Sequence, residues 1–240
     1  MRIALIGYGK MGKTIEEIAI SRGHSITARS TSKNSIDQID FSNVDVAIEF
    51  TLPGLAAGHI QHCVDQKTPV VVGTTAWGEQ LPFVKDYVIQ NGGSLLYASN
   101  FSIGVNIFFD LNRRLAKLMS THTEYSAEIK EAHHTEKADA PSGTAVSLAN
   151  DILSQNENLS SWAYQDDQTP SKKAGQVGVT SFRQPGVPGT HTVQYNSEID
   201  TIEMTHTAHN RSGFGLGAVI AAEWLHGRKG IYTMQDIIKY

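Results

Sequence analysis

The feature that most narrows what this chain can fold into is a glycine turn near its start, Gly7-Tyr8-Gly9-Lys10-Met11-Gly12. An apolar run, Arg2–Ile6, precedes it, and an amphipathic stretch from Gly12 to about Arg22 follows. A G-x-G-x-x-G turn placed between a strand and a helix is a dinucleotide-binding turn. Gly7 allows the tight bend, Gly9 lets the backbone approach a pyrophosphate, and Gly12 permits close helix–sheet packing. The helix start then offers free N–H donors and a positive dipole end to phosphate. A glycine-rich turn without a ligand is the alternative, and its place at the head of a β–α series argues against it.

That series runs through the first hundred residues. Strand-like runs at His24–Ala28, Val44–Ile48, Pro69–Val72 and Ser94–Tyr97 alternate with helical patterns near Leu55–Gln66 and Gln80–Gln90. Continuous apolar strands separated by helices predict a doubly wound parallel sheet covered on both faces. After Gly104 the pattern changes. A helix at about Val105–Met119 leads to a strand near Glu124–Glu131, a polar loop at His133–Gly143 and a helix from Thr144 to about Ser154. Residues 157–175 read as a surface connection. Strands follow at Val177–Arg183, His191–Ile199 and Ile202–Ala208, the first two flanking the Pro/Gly-rich turn Gln184–Thr190. This is the pattern of a smaller α+β domain with an antiparallel or mixed sheet. Helical segments at Gly217–Leu225 and Met234–Lys239 return to the first domain. The expected division is therefore 1–102 with 212–240 for dinucleotide binding, and 103–211 for substrate binding and oligomerisation. Arg211 falls at the return, where a hinge or cofactor-site role is weighed against a solvated charge.

The second strand's end bears on which dinucleotide is held. An NAD site usually places Asp or Glu about 20 residues beyond the glycine turn, on the ribose hydroxyls. Here the window is Ala28-Arg29-Ser30-Thr31-Ser32-Lys33, with no acid before Asp37. Arg29 and Lys33 suit a 2′-phosphate and Ser30, Thr31 or Ser32 can donate to it, so NADPH is favoured, with NADH as the alternative. Two further turns, Gly73-Thr74-Thr75 and Ala98-Ser99-Asn100-Phe101, follow strands at the carboxyl edge where open α/β sheets bind ligands.

The densest chemistry lies in Glu131-Ala132-His133-His134-Thr135-Glu136-Lys137-Ala138-Asp139-Ala140-Pro141-Ser142-Gly143-Thr144. His133 and His134 can exchange protons near neutral pH, and Lys137 is a strong point charge. The helix begun by Ser142, Gly143 and Thr144, capped by Ser142 or Thr144, offers a carboxylate receptor beside them. Adjacent residues on an extended strand point to opposite faces, so His133 and His134 cannot both ligate one ion. With no H-E-x-x-H spacing and no Cys nearby, no metal is expected. His59 and His62 read as surface or packing residues, and Trp162 and Trp224 as core or interface.

Composition closes off other classes. The 240-residue chain carries a net charge of −4 and one Cys, Cys63. The charge argues against a nucleic-acid partner, and the lone Cys suits a reducing, cytoplasmic setting without disulfides. No run approaches the ~18 apolar residues of a membrane span, and the N-terminus lacks a signal-peptide cleavage site.

GYGKMG at 7–12, IEFTLP at 48–53, GTT at 73–75, SNFSIGVN at 99–106 and EAHHTEKADAPSGTA at 131–145 together resemble the 4-hydroxy-tetrahydrodipicolinate reductase (dihydrodipicolinate reductase) family over essentially the whole chain. The resemblance implies a Rossmann domain completed by the C-terminal helices, with a mixed-sheet substrate domain between. It implies reduction of a cyclic dicarboxylate, (2S,4S)-4-hydroxy-2,3,4,5-tetrahydrodipicolinate, with loss of water, in lysine and diaminopimelate biosynthesis, by a cytoplasmic homotetramer. His133 and Lys137 match the family's catalytic pair, and His134, Gly143 and Thr144 its substrate contacts. Gly7–Gly12 (with Tyr8, Gly9, Lys10 and Met11), Gly73–Thr75 and Ala98–Phe101 match its cofactor segments. Domain closure for hydride transfer is expected. The sequence departs at Glu136, where the family often has His, at Leu52, often basic elsewhere, and in a glycine loop one residue shorter than in many members. Another two-domain NADPH oxidoreductase and a non-catalytic NADPH sensor are the rival readings. A semialdehyde dehydrogenase would need a thiolate in the second domain, and the sensor would need no proton donor.

Overall fold

The structure is a computed structural model describing residues 1–165, 173–210 and 212–238. In chain order it forms β1 (Arg2–Ile6), α1 (Lys10–Ser21), β2 (Ser25–Ser30), β3 (Val46–Glu49), α2 (Pro53–Asp65), β4 (Val70–Val72), α3 (Leu81–Gln90) and β5 (Ser94–Tyr97). Next come α4 (Ile103–Met119), β6 (Ser126–His133), α5 (Gly143–Gln155), β7 (Ser161–Gln165), β8 (Gln176–Arg183), β9 (Gly189–Asn196) and β10 (Thr201–Ala208). The last elements are α6 (Ser212–Leu225), β11 (Gly230–Tyr232) and α7 (Met234–Ile238). The chain divides into two units, Met1–Asn106 with Ser212–Tyr240, and Ile107–Arg211. Arg211 itself lies outside the described residues, as do residues 166–172 of the expected connection.

The first unit is a six-stranded sheet in the order β11-β5-β4-β3-β1-β2, with every neighbouring pair parallel. Alternation along β1 explains its two buried faces. Ala4 and Ile6 enter one core with Ala56, Ile60 and Val64 of α2 and Val84 and Val88 of α3. Ile3 and Leu5 enter the other with Ile15 and Ala19 of α1 and Ala218 and Ala222 of α6. Each fully buried Ile or Leu contributes roughly 1.5–3 kcal/mol. The chain runs outward from β1 to β2 and then crosses back to β3 on the other side. Phosphate-binding turns gather at such a switch point. Helix α6 braces the same edge: a Cβ on Gly217 would lie 1.7 Å from the Phe101 carbonyl oxygen, so only glycine lets the helix press on that backbone.

The second unit is a five-stranded mixed sheet, β10-β9-β6-β8-β7. One face carries Ala127, Ile129, Val177, Val179 and Val193 against Ala116 of α4 and Leu148 and Ile152 of α5. The expected mixed sheet is present, and the structure adds detail to it. Ser161–Gln165, expected within a surface connection, is the edge strand β7, paired parallel to β8. Trp162 packs against the core while Tyr164, on the same side of the strand, is exposed, so the segment carries no clear apolar period. The turn at Gln184–Thr190 does not close a hairpin, because β6 lies between β8 and β9, parallel to the first and antiparallel to the second. Strand β11, three residues paired with Ser94–Leu96 of β5, was not expected at all. No helix of the described residues is long and apolar enough to cross a membrane.

Candidate active site

Two surface hollows meet at the glycine turn of the first unit. One, of about 820 Å³, runs past Gly7–Gly9 to Ser30–Ser32, Thr51, His59 and His62. The other, of about 280 Å³, runs past Gly9–Gly12 to Phe50, Thr51 and Gly73–Thr75. The three glycines differ as their proposed tasks require. Gly7 has φ +96° and a Cβ there would sit 2.1 Å from the Phe50 carbonyl oxygen, while one on Gly12 would sit 2.5 Å from the Gly7 oxygen. A Cβ on Gly9 would meet nothing within 4 Å, which leaves the space a pyrophosphate needs. Gly73 is equally confined, its Cβ position lying 2.1 Å from the Phe50 ring. A dinucleotide therefore fits the residues present.

The side chains around the turn are mostly engaged with one another. Ser30 Oγ accepts the Gly7 N–H at 2.9 Å, so this hydroxyl braces the turn. The Arg29 guanidinium pairs with Glu16 of α1 and lies 5.4 Å over the Tyr8 ring, whose hydroxyl also donates to Glu16. This pairing holds the Glu16 carboxyl below its ordinary range, and sequence reading did not foresee it. Lys10 and Met11 open α1, and Lys33 is exposed. Thr74 Oγ1 accepts the Thr51 N–H at 2.6 Å. In the Ala98–Phe101 turn, Asn100 Oδ1 accepts the Ser102 N–H at 2.9 Å, and Phe101 is a core residue. His59 and His62 line the larger hollow, with His59 Nδ1 3.3 Å from the buried Glu49 carboxylate. Cys63 is buried, which raises its thiol and removes it from chemistry.

In the second unit the cluster sits at the carboxyl end of β6. Period-two alternation puts Ala127 and Ile129 in the core and Glu131 and His133 beyond them on the same face. His134, next along the chain, leaves the strand. His133 Nδ1 bonds Glu131 Oε2, and the His133 ring meets the His191 ring of β9 edge-on at 5.1 Å. Arg183, last in β8, ties this end together. Its Nη1 reaches Glu131 Oε1 at 3.2 Å, its Nε donates to the Lys137 carbonyl at 3.2 Å and its Nη2 to the Asp139 carbonyl at 2.7 Å. The loop carrying Lys137 is thereby clamped to the strand. Lys137 Nζ is held by both Asp139 oxygens, at 2.7 and 2.8 Å. The Ala140–Pro141 bond is cis. Ser142 caps α5 through Ala145 N, leaving Gly143 and Thr144 in its first turn.

Glu131, Arg183 and His191 were not singled out in the sequence, because strands on either side of β6 deliver the latter two. Only the even spacing of Glu131 and His133 on one strand could have flagged the first. Burial alone would raise the Glu131 carboxyl, but hydrogen bonding by His133 and Ser181, followed by the His133 and Arg183 charges, outweighs it and holds it at about 2. Donor atoms of Glu131, His133 and His191 lie within 4.8 Å of one another, a spacing an ion could use. The Glu131 oxygens are already taken by His133, Arg183 and the Ser142 N–H, which points to a hydrogen-bond network.

His191 shows what this burial costs. Burial first, and the neighbouring His133 second, lower it from 6.5 to about 4, with His206 and Lys137 adding to the effect and Glu131 opposing it. The folded unit therefore binds fewer protons than the unfolded chain between these values. Stability is complete above pH ~6.5 and falls as pH drops towards ~4, by about 3 kcal/mol in total. Denaturant unfolding from pH 7 to 5 should show this loss, and His191→Gln should flatten it; an unchanged slope would refute the assignment.

Residues 1–101 match the family profile described as dihydrodipicolinate reductase, N-terminus, and residues 104–238 match its C-terminus profile. The chain is 44% identical over 238 residues to a 4-hydroxy-tetrahydrodipicolinate reductase of Christiangramia forsetii, covering 99% of this chain and 98% of that one. It is 35% identical to the Pseudoalteromonas atlantica protein of the same description, over 95% of this chain and 84% of that one. Among solved structures, a dipicolinate-bound dihydrodipicolinate reductase from Paenisporosarcina sp. TG-14 superposes with a TM-score of 0.74 at 22% identity, covering 99% of each chain. An amine dehydrogenase from Mycobacterium smegmatis gives 0.59 at 10% identity, over 96% of this chain and 94% of that one. At such identities the two structures speak for a shared fold.

Proposed function

The chain belongs to the dihydrodipicolinate reductase family, and from that premise we propose how its residues divide the work. The protein is an oxidoreductase that reduces 4-hydroxy-tetrahydrodipicolinate in lysine and diaminopimelate biosynthesis. A reduced nicotinamide dinucleotide, when bound, supplies the hydride. In this proposal the unit of residues 1–106 and 212–240 holds the dinucleotide and the unit of residues 107–211 holds the substrate. The pyrophosphate rests on Gly9 and the α1 start, and Gly73–Thr75 with Ala98–Phe101 flank the reactive end.

The observation that carries the substrate side is the grouping at the end of β6: a histidine, a lysine and the first turn of α5, with Gly143 exposed. One carboxylate of the dicarboxylate rests on the Gly143 and Thr144 donors, with His134 and Lys137 beside it. Reduction of the ring and loss of the 4-hydroxyl as water both require protons, and His133 and Lys137 supply them. Asp139 holds the Lys137 ammonium until the substrate's negative charge draws it away. Thr144→Val should raise KM for the dicarboxylate about tenfold by removing one hydrogen bond to a charged group, with dinucleotide affinity unchanged. An unaltered KM would remove Thr144 from the site.

NADPH is the preferred reductant in this reading, because the β2 end offers Arg29, Ser30 and Lys33 and no acid. Arg29→Ala should weaken NADPH binding by about tenfold or more and leave NADH nearly untouched. Equal losses for both would reject the 2′-phosphate role. A homotetramer is proposed to form through the sheet face of the second unit opposite α4 and α5, which no helix of the described residues covers and where Lys130, Thr180, Phe182, Thr192 and Thr205 lie. A cytoplasmic location agrees with the lone, buried Cys63.

A further inference from the structure

We propose that Glu131, anchored by Arg183, is the positioning residue for His133: it fixes the ring's orientation and tautomer so that Nε2 is the edge turned to the substrate. The inference rests on the reading of His133 as a proton donor and gives a role to Glu131, to which the family resemblance assigned none.

Four observations converge. Glu131 is fully buried, yet its carboxyl is held ionised, so it acts as an acceptor only. One of its oxygens takes His133 Nδ1, which therefore carries the hydrogen of that bond. The other oxygen takes Arg183 Nη1 at 3.2 Å and the Ser142 N–H at 3.3 Å, so the carboxylate cannot rotate away without breaking both. On the far edge of the ring, β9 presents Gly189, where a Cβ would come within 3.0 Å of Nε2. Glycine keeps that edge clear. The charged and titratable groups around the ring are Glu131 on β6, Arg183 on β8, His191 on β9 and Lys137 on the loop. His191 stays neutral, and Arg183 donates to Glu131 without approaching the ring by any hydrogen bond of its own. A histidine tied to a buried carboxylate through one nitrogen presents the other in a fixed direction, whether as donor or acceptor. Arg183 has a second consequence: the same guanidinium holds the Lys137 and Asp139 carbonyls, so one cation sets both proton donors.

The test is a double-mutant cycle on the full-length enzyme, with kcat, KM and dinucleotide affinity measured for each form. Glu131→Gln removes the charge and lets an amide face Nδ1 either way round. It should lower kcat at least about tenfold while KM for the dicarboxylate stays within about threefold. In the His133→Ala background the same change should cost less than about twofold, because Glu131 then has nothing to position. If Glu131→Gln does not fold, Glu131→Asp keeps a charge for Arg183 but withdraws it from His133, and the same split is expected. Unchanged kcat in whichever variant folds would overturn the proposal while leaving His133 in place. Equal losses in both backgrounds would also overturn it, showing a structural role only. Near-normal turnover of His133→Ala alone would overturn the underlying reading as well. Activity abolished by a chelator and restored by zinc would make Glu131 a metal ligand, again against the proposal.

Discussion

Replacing His133 with alanine is expected to lower kcat by about 10²–10⁴-fold, the range that one well-placed acid contributes. The dinucleotide should bind as before, because Gly7–Gly12, Gly73–Thr75 and Ala98–Phe101 all belong to the other unit. Folding should also survive, since His133 is the last residue of β6 and lies past its apolar positions Ala127 and Ile129. Lys137→Ala should show a loss of the same kind, with KM rising too if the ammonium also meets a carboxylate. Near-normal turnover in both variants would reject the site at the end of β6.

The glycine turn gives the second large effect, and its three glycines can be separated. Gly7→Ala places a Cβ 2.1 Å from the Phe50 carbonyl at φ +96°. Strain and overpacking together should destabilise the first unit by about 3–5 kcal/mol and abolish dinucleotide binding with it. Gly9→Ala has open space for its Cβ, so the unit should unfold at nearly the wild-type midpoint. Its dinucleotide affinity should still fall, because the new methyl occupies the pyrophosphate's approach. Full affinity in Gly9→Ala would remove the pyrophosphate from this turn.

Much of this was legible because it is local in the chain. The G-x-G-x-x-G turn, the β–α alternation and the Ser142 cap each occupy a few consecutive residues, and period-two alternation separated His133 from His134. What escaped the sequence depends on distant segments meeting. Arg183 reaches Glu131 only because β8 lies parallel beside β6, and His191 meets His133 only because β9 lies on the other side. The Pro/Gly turn Gln184–Thr190 joins strands that are consecutive in the chain but not neighbours in the sheet, and it crosses the end of β6, where the Gln184 N–H bonds the His133 carbonyl at 2.8 Å. Arg29 with Lys33 reads as a ready phosphate clamp. Glu16, one helix away in space, meets the guanidinium first, so a 2′-phosphate must compete with a carboxylate for it.

The most direct test of the central claim supplies the purified protein with NADPH and with substrate generated in place from pyruvate and aspartate semialdehyde by the preceding synthase. The fall in reduced-nicotinamide absorbance is followed with the synthase present and absent. The account predicts NADPH oxidation that depends on both the synthase and this protein, and that His133→Ala reduces by at least about a hundredfold. Absence of any substrate-dependent oxidation by the folded, dinucleotide-binding protein would contradict it.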